Sequence, residues 1–302
     1  MELWIPITIF AAFAQNLRFM LQKQLKATRL STGGATFARF VFAAPLAILL
    51  VWALVAVGWR DLPGANLRFF SLAMIGGVSQ IMATACVVAL FASRNFTVGI
   101  TLKKTETIQT ALIAFLLLGE TVSRWGIIAI VIGLAGVVLL ADPPDRGSTT
   151  GWRARLFNRS SGLGLLSGAL FGVSAAGYRG ASLALGSGDF LIRAAATLVF
   201  VTLFQSLIMA AWLGWREPGQ LGKVFAAWRT TALVGLAGVL GSLGWFMAFT
   251  LQHAAYVKAL GQVELIFTFL TSWLVFRETT SRRELSGIAL VIASIIVLVL
   301  VL

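Results

Sequence analysis

The chain reads as long apolar runs separated by short polar breaks. A membrane-spanning helix needs about 20 mainly apolar residues. Runs of that kind fall at 3–21, 34–58, 68–92, 96–118 and 123–141, and again at 162–184, 188–214, 230–252, 255–276 and 285–302. They are continuous rather than alternating, so helices are predicted, because backbone polar groups in lipid must be satisfied within their own segment. The first run has no basic leader region and other spans follow it, which favours a helix over a cleaved signal. One interruption is longer than the others. Asp142-Pro143-Pro144-Asp145-Arg146-Gly147 opens a polar, Arg-rich stretch to Ser160. It divides the chain into a first unit at 1–141, a basic linker at 142–161 and a second unit at 162–302.

The two units are related. A shift of 158 residues lays Glu120-Thr121-x-Ser123-Arg124 on Glu278-Thr279-x-Ser281-Arg282, Glu106 on Glu264, Phe91 on Phe249 and Gly77 on Gly235. With small shifts, Arg18 answers to Arg179 and Arg39 to Arg193. Each unit holds five runs, and an odd number turns the second copy upside down in the membrane. The predicted architecture is an all-α membrane protein of ten transmembrane helices arranged as two inverted five-helix repeats. In such folds the substrate site lies near the midplane, between the halves.

Composition agrees. Of 302 residues, 59% are hydrophobic and only 12% charged, against about a quarter charged in soluble domains. The net charge of +13 would suggest nucleic acid in a soluble protein, but here the basic residues sit mostly in short loops, facing anionic lipid. By loop parity one side collects Lys23, Lys26, Arg29, Arg94, Arg146, Arg153, Arg155, Arg159, Arg216, Lys223, Arg229, Arg277, Arg282 and Arg283; the other has Arg60, Arg68 and Arg124. The basic side is predicted to be cytoplasmic, which puts the 142–161 linker inside and both termini in the periplasm of a bacterial inner membrane. Cys86 and His253 are the only residues of their types, so neither a disulfide framework nor a metal site is expected. Without a phosphate-binding glycine loop or a nucleophile constellation, an enzyme or an ATP-driven pump is not predicted, and no cofactor is expected.

The five-plus-five layout and the Glu-Thr pairs at Glu120-Thr121 and Glu278-Thr279 resemble the drug/metabolite transporter superfamily, in its ten-helix EamA-type branch. Gly133 and Gly136 follow the first pair, whereas Val291 and Ser294 stand at those places in the second half. The resemblance covers the whole chain and implies a transporter. Members export amino acids and drugs or exchange phosphorylated sugars and nucleotide sugars, and there is some likeness to the aromatic amino acid exporters.

Charge inside the spans points to the site. Arg18, Arg39, Lys103, Lys104, Arg179, Arg193 and Lys258 fall within apolar runs, with Glu106 and Glu264. An ionised side chain at the bilayer centre costs at least about 2.5–3.5 kcal/mol on insertion scales, so such residues usually face a cavity or a partner. At roughly 1.5 Å per residue, both glutamates are predicted near the midplane. Arg18, Arg39, Lys103 and Lys104 form one basic cluster toward the cytoplasm, and Arg179, Arg193 and Lys258 a second toward the outside. Lys103 shares a helix face with Glu106, whereas Lys258, six residues from Glu264, faces away from it. The basic excess suits a water-filled path that attracts a carboxylate or phosphate. Gln80, Gln109, Tyr178, Tyr256 and Gln262 are further candidates, though such groups more often make helix–helix hydrogen bonds; Trp245 lies deep enough to wall a site. The expected solute is a small zwitterionic or anionic metabolite, an amino acid before a phosphate ester or nucleotide sugar. A channel-like or scaffold protein is the alternative from another class.

Overall fold

A computed structural model describes residues 2–26, 30–58, 61–90, 102–140, 159–267, 270 and 282–301. The chain is all-helical among these residues. In order come α1 (Trp4–Lys26), α2 (Thr32–Val41), α3 (Ala43–Ala56), α4 (Leu67–Leu90), α5 (Glu106–Leu118) and α6 (Arg124–Leu140). The second half supplies α7 (Arg159–Ala184), α8 (Phe190–Arg216), a short α9 (Gln220–Ala226), α10 (Trp228–Leu251), α11 (Ala254–Leu260) and α12 (Arg282–Val301). Among the described residues six stretches are long and apolar enough to cross a membrane: Trp4–Gln22, Thr32–Ala56, Leu67–Leu90, Arg159–Ala184, Phe190–Arg216 and Trp228–Leu251. Glu106–Leu118, Arg124–Leu139 and Leu285–Leu300 are shorter apolar helices. The 142–158 part of the linker, and Glu278-Thr279, lie outside the described residues.

Local chemistry explains the breaks. The second predicted span divides between α2 and α3 at Phe42, three residues before Pro45, which lacks the N–H that would bond the preceding turn. Ser31 caps α2 by accepting from the Gly34 N–H at 2.9 Å. Gly119, at φ 71°, ends α5 in the left-handed conformation that glycine adopts without strain.

The fourth and ninth spans are not the continuous helices the apolar pattern predicts. The backbone leaves helix at Lys104-Thr105, just before Glu106, and tightens to a 3₁₀ turn at Gly261–Val263, just before Glu264. A shift of 158 residues superimposes these interruptions. Each glutamate therefore opens a helical segment, where the helix dipole favours a carboxylate.

The pairing of helices follows the repeat. α4 packs along α7 and, in the exchanged relation, α10 along α1; α5 meets α7 as α11 and its 3₁₀ turn meet α1; α6 pairs with α12, and α2–α3 with α8. Most of these contacts cross between halves. Small residues permit the close approaches, since a Cβ on Gly244 would stand 2.8 Å from Ala11 Cβ and one on Gly177 2.9 Å from the Leu72 carbonyl. Gly168, Gly172, Gly177 and Gly180 of α7, and Gly235, Gly238, Gly241 and Gly244 of α10, all lie against neighbouring elements and so serve packing. Bulky apolar side chains such as Trp52, Leu116 and Leu207 face outward, as a lipid-facing surface requires. Trp125, Trp215 and Trp228, near helix ends, are exposed in the manner of interfacial residues, whereas Trp4 is buried.

Candidate functional site

The interrupted helices bring their charges together. Lys258 Nζ lies 2.5 Å from Glu106 Oε1, and Lys103 Nζ lies 3.4 Å from Glu106 Oε2. Lys104 pairs with Glu264, whose second oxygen accepts from Gln15 Nε2 at 2.9 Å. Each glutamate is thus held by a lysine of the opposite half, and all five side chains are about nine-tenths buried. Lysine and glutamate are almost never buried unless paired, so the pairing gives both a reason to sit here.

Aromatic rings complete the enclosure of the cations. Lys258 Nζ stands 4.7 Å from the centroid of the Trp245 ring, 5.6 Å from Phe249 and 5.7 Å from Phe171. Lys103 sits 5.1 Å from Phe171 and 5.4 Å from Phe19. An ammonium among ring faces is attracted by their quadrupoles and loses little when an anion draws it away.

Two small cavities adjoin this cluster. The first is faced by the three lysines and two glutamates, with Gln262 beside them. The second is walled by Phe171, Phe246 and Phe249 and edged by Arg39, Gln80 and Tyr178. Gln15, Trp245 and Lys258 belong to both. The Trp245 indole N–H is buried and has no hydrogen-bond partner among the described residues, a group whose desolvation a solute acceptor would offset. Gln262 donates to Thr107 Oγ1 at 3.0 Å. Tyr178 donates to Gln80 Oε1 at 3.0 Å, and Gln205 donates to that same oxygen at 3.0 Å.

Several predicted site residues have other positions. Gln109 donates toward the Leu165 carbonyl and abuts Gly168 on α7, outside both cavities. Tyr256 accepts from the Ser123 N–H at 2.8 Å and stacks on His253. Arg179 binds Glu120 and donates to the Phe249 and Gln252 carbonyls at 2.6 and 2.7 Å, while Arg193 donates to the Ser182 carbonyl at 2.8 Å. These bonds lace the loops of the face opposite the basic one. Arg18 lies beside Arg39 over Gly238 and donates to Gln22; Arg39 donates to Thr84 at 2.8 Å.

Two basic clusters on opposite sides are therefore not what forms. Lys258 shares Glu106 with Lys103, so the three lysines make one centre, and Arg179 and Arg193 are absorbed by Glu120 and by carbonyls at helix ends. The basic excess at the centre shrinks to three lysines against two glutamates. Gln15, Phe171, Phe249 and Gln205 join the site without having been among the main candidates. Gln15 was detectable as a polar residue inside an apolar run, whereas the phenylalanines look like any core residue.

An all-helical bundle with several long apolar helices and a charged cavity between its halves defines a polytopic membrane protein. Residues 162–300 match the EamA-like transporter family. The second half of the chain is therefore similar to a family of membrane transporters. A protein crystal structure shares the fold at a TM-score of 0.70, with 12% identity, over 97% of this chain and 96% of its own. No curated protein matches the sequence.

Proposed function

We propose that the protein is a secondary carrier of the bacterial inner membrane that exports or exchanges a small metabolite bearing an anionic group, an amino acid in first place. One observation carries this reading: a buried cavity is faced by cations and acids drawn from both halves, Lys103, Lys104 and Glu106 from one and Lys258 and Glu264 from the other. A substrate carboxylate would take lysine from its internal partner, and a substrate ammonium would take the freed glutamate. Binding would thus loosen the ties that join the halves at their centre, the differential interaction a ligand needs to shift a conformational equilibrium. The exchange symmetry of the helix pairs supports repeat units at 1–141 and 162–302 that alternate in opening the cavity to either face.

The test is counterflow in proteoliposomes. A carrier loaded with unlabelled amino acid accumulates the labelled solute transiently, and a scaffold does not. Full accumulation by both Glu106→Gln and Glu264→Gln would mean that the site lies elsewhere. The surplus of one lysine favours a second reading, a phosphate-ester exchanger, for which sugar phosphates and not amino acids would drive the exchange.

A further inference from the structure

The two adjoining cavities differ in sign. The first presents lysines and glutamates together, as a zwitterionic head group requires. The second has Arg39 and Lys258 on its lining and, among the described residues, no carboxylate. Two of its neutral polar groups are also turned toward donation, whereas Gln15 donates its amide N–H to Glu264. The Gln80 oxygen is occupied by Tyr178 and Gln205, which leaves the Gln80 amide nitrogen as its free half. The N–H of Trp245, a residue only 7% exposed, has no partner among the described residues. Arg39 is 4% exposed and forms no ion pair with an acid among the described residues. Across both cavities four cations, Lys103, Lys104, Lys258 and Arg39, stand against two glutamates.

From this asymmetry we infer that the second cavity is a subsite for a second anionic group, so that the preferred solutes are dicarboxylic amino acids. The inference rests on the amino-acid reading above. The α-carboxylate and ammonium occupy the first cavity among the lysines and glutamates. The side chain passes Trp245 and Lys258, its methylenes lie against Phe171, Phe246 and Phe249, and its terminal carboxylate meets Arg39 and the Gln80 amide. A cationic tip would be repelled there. A neutral amide would fit by shape but would leave Arg39 without a counter-charge, inside walls that strengthen electrostatic preference.

Glutamate and glutamine are nearly isosteric and differ in that one charge, so their ratio is the measurement. Labelled L-glutamate is loaded by counterflow into proteoliposomes of the full-length protein, with unlabelled L-glutamate, L-aspartate, L-glutamine and L-asparagine as competitors. The acids are expected to compete at concentrations lower by about tenfold or more, as for a charge pair in a desolvated site. Gln80→Glu keeps the acceptor used by Tyr178 and Gln205 and adds a carboxylate to the lining that holds Arg39, and it should collapse the glutamate-to-glutamine ratio. Arg39→Gln should do the same, and the isosteric Gln80→Glu protein decides the matter if Arg39→Gln fails to fold. Equal competition by glutamate and glutamine in the unaltered protein overturns the subsite while leaving amino-acid transport standing. An unchanged ratio in a folded Gln80→Glu protein also overturns it. If sugar phosphates drive exchange and no amino acid does, the underlying reading fails and the subsite fails with it.

Discussion

Glu106→Gln is the most informative single change in this protein. The carboxylate faces Lys258 at 2.5 Å and Lys103 at 3.4 Å. With an effective dielectric constant of about 20, these distances correspond to roughly 5–7 kcal/mol of attraction for each pair before desolvation is subtracted. Desolvation of buried ions offsets most of that, and removing one partner of a buried pair typically costs about 3–5 kcal/mol, because the remaining charge is left uncompensated. The amide can still accept a hydrogen bond, so the lower end of that range is expected. The central charge would rise from one surplus cation to two. Glu106→Gln should therefore melt at a lower temperature in detergent and lose most of its counterflow. Adding Lys258→Met should recover melting temperature, since it removes a stranded ammonium and leaves an apolar chain among aromatic rings. Counterflow should stay low, because the substrate would still lack Glu106. A single variant that melts and transports like the unaltered protein would refute the pairing argument. Recovery of transport in the double variant would refute the assignment of Glu106 to the solute.

Three other outcomes follow from the geometry. Reporter fusions after Leu302 and within the 142–161 linker should place the C-terminus in the periplasm and the linker in the cytoplasm; fluorescence from a cytoplasmic reporter at Leu302 would reverse the parity. In Gly261→Ala the new methyl would stand 2.5 Å from the edge of the Trp245 ring, so stability should fall by about 1–3 kcal/mol, with counterflow reduced. Normal counterflow would show that the ring position is not critical. Glu120→Gln should weaken the Arg179 lacing of the outer face. A cysteine at Ser242, in the second cavity, with Cys86 replaced, should then react faster with an impermeant thiol reagent added from the periplasmic side; an unchanged rate would make the lacing irrelevant to access.

The repeat register was the most readable part of the site. Glu106 and Glu264 coincide at a shift of 158 residues, and the structure sets both on one cavity. Helix existence was also plain, because apolar runs in lipid leave few alternatives. The interruptions before the two glutamates were not readable, since the apolar content continues through them and only the backbone departs. Partners were harder still. Spacing along a helix shows which residues share a face, and it correctly paired Lys103 with Glu106. It says nothing of a residue on the neighbouring helix, and so it missed Lys258 crossing to Glu106 and Lys104 crossing to Glu264. Arg179 and Arg193 looked like solute-binding charges for a similar reason: main-chain carbonyls at helix ends are potential ligands that no side-chain pattern reveals.

The way the helices pair has a consequence for how the protein is made. The principal partners of α1, α4 and α6 are α10, α7 and α12, all synthesised later. A ribosome adding roughly 5–20 residues per second needs on the order of ten seconds to complete the second half. During that interval the first half sits in the bilayer with its glycine-lined surfaces uncovered and Lys104 without Glu264. Those seconds are a window for an insertion chaperone or for premature degradation. The same arrangement should let separately expressed halves find one another, since the surfaces that recognise each other are already divided between them.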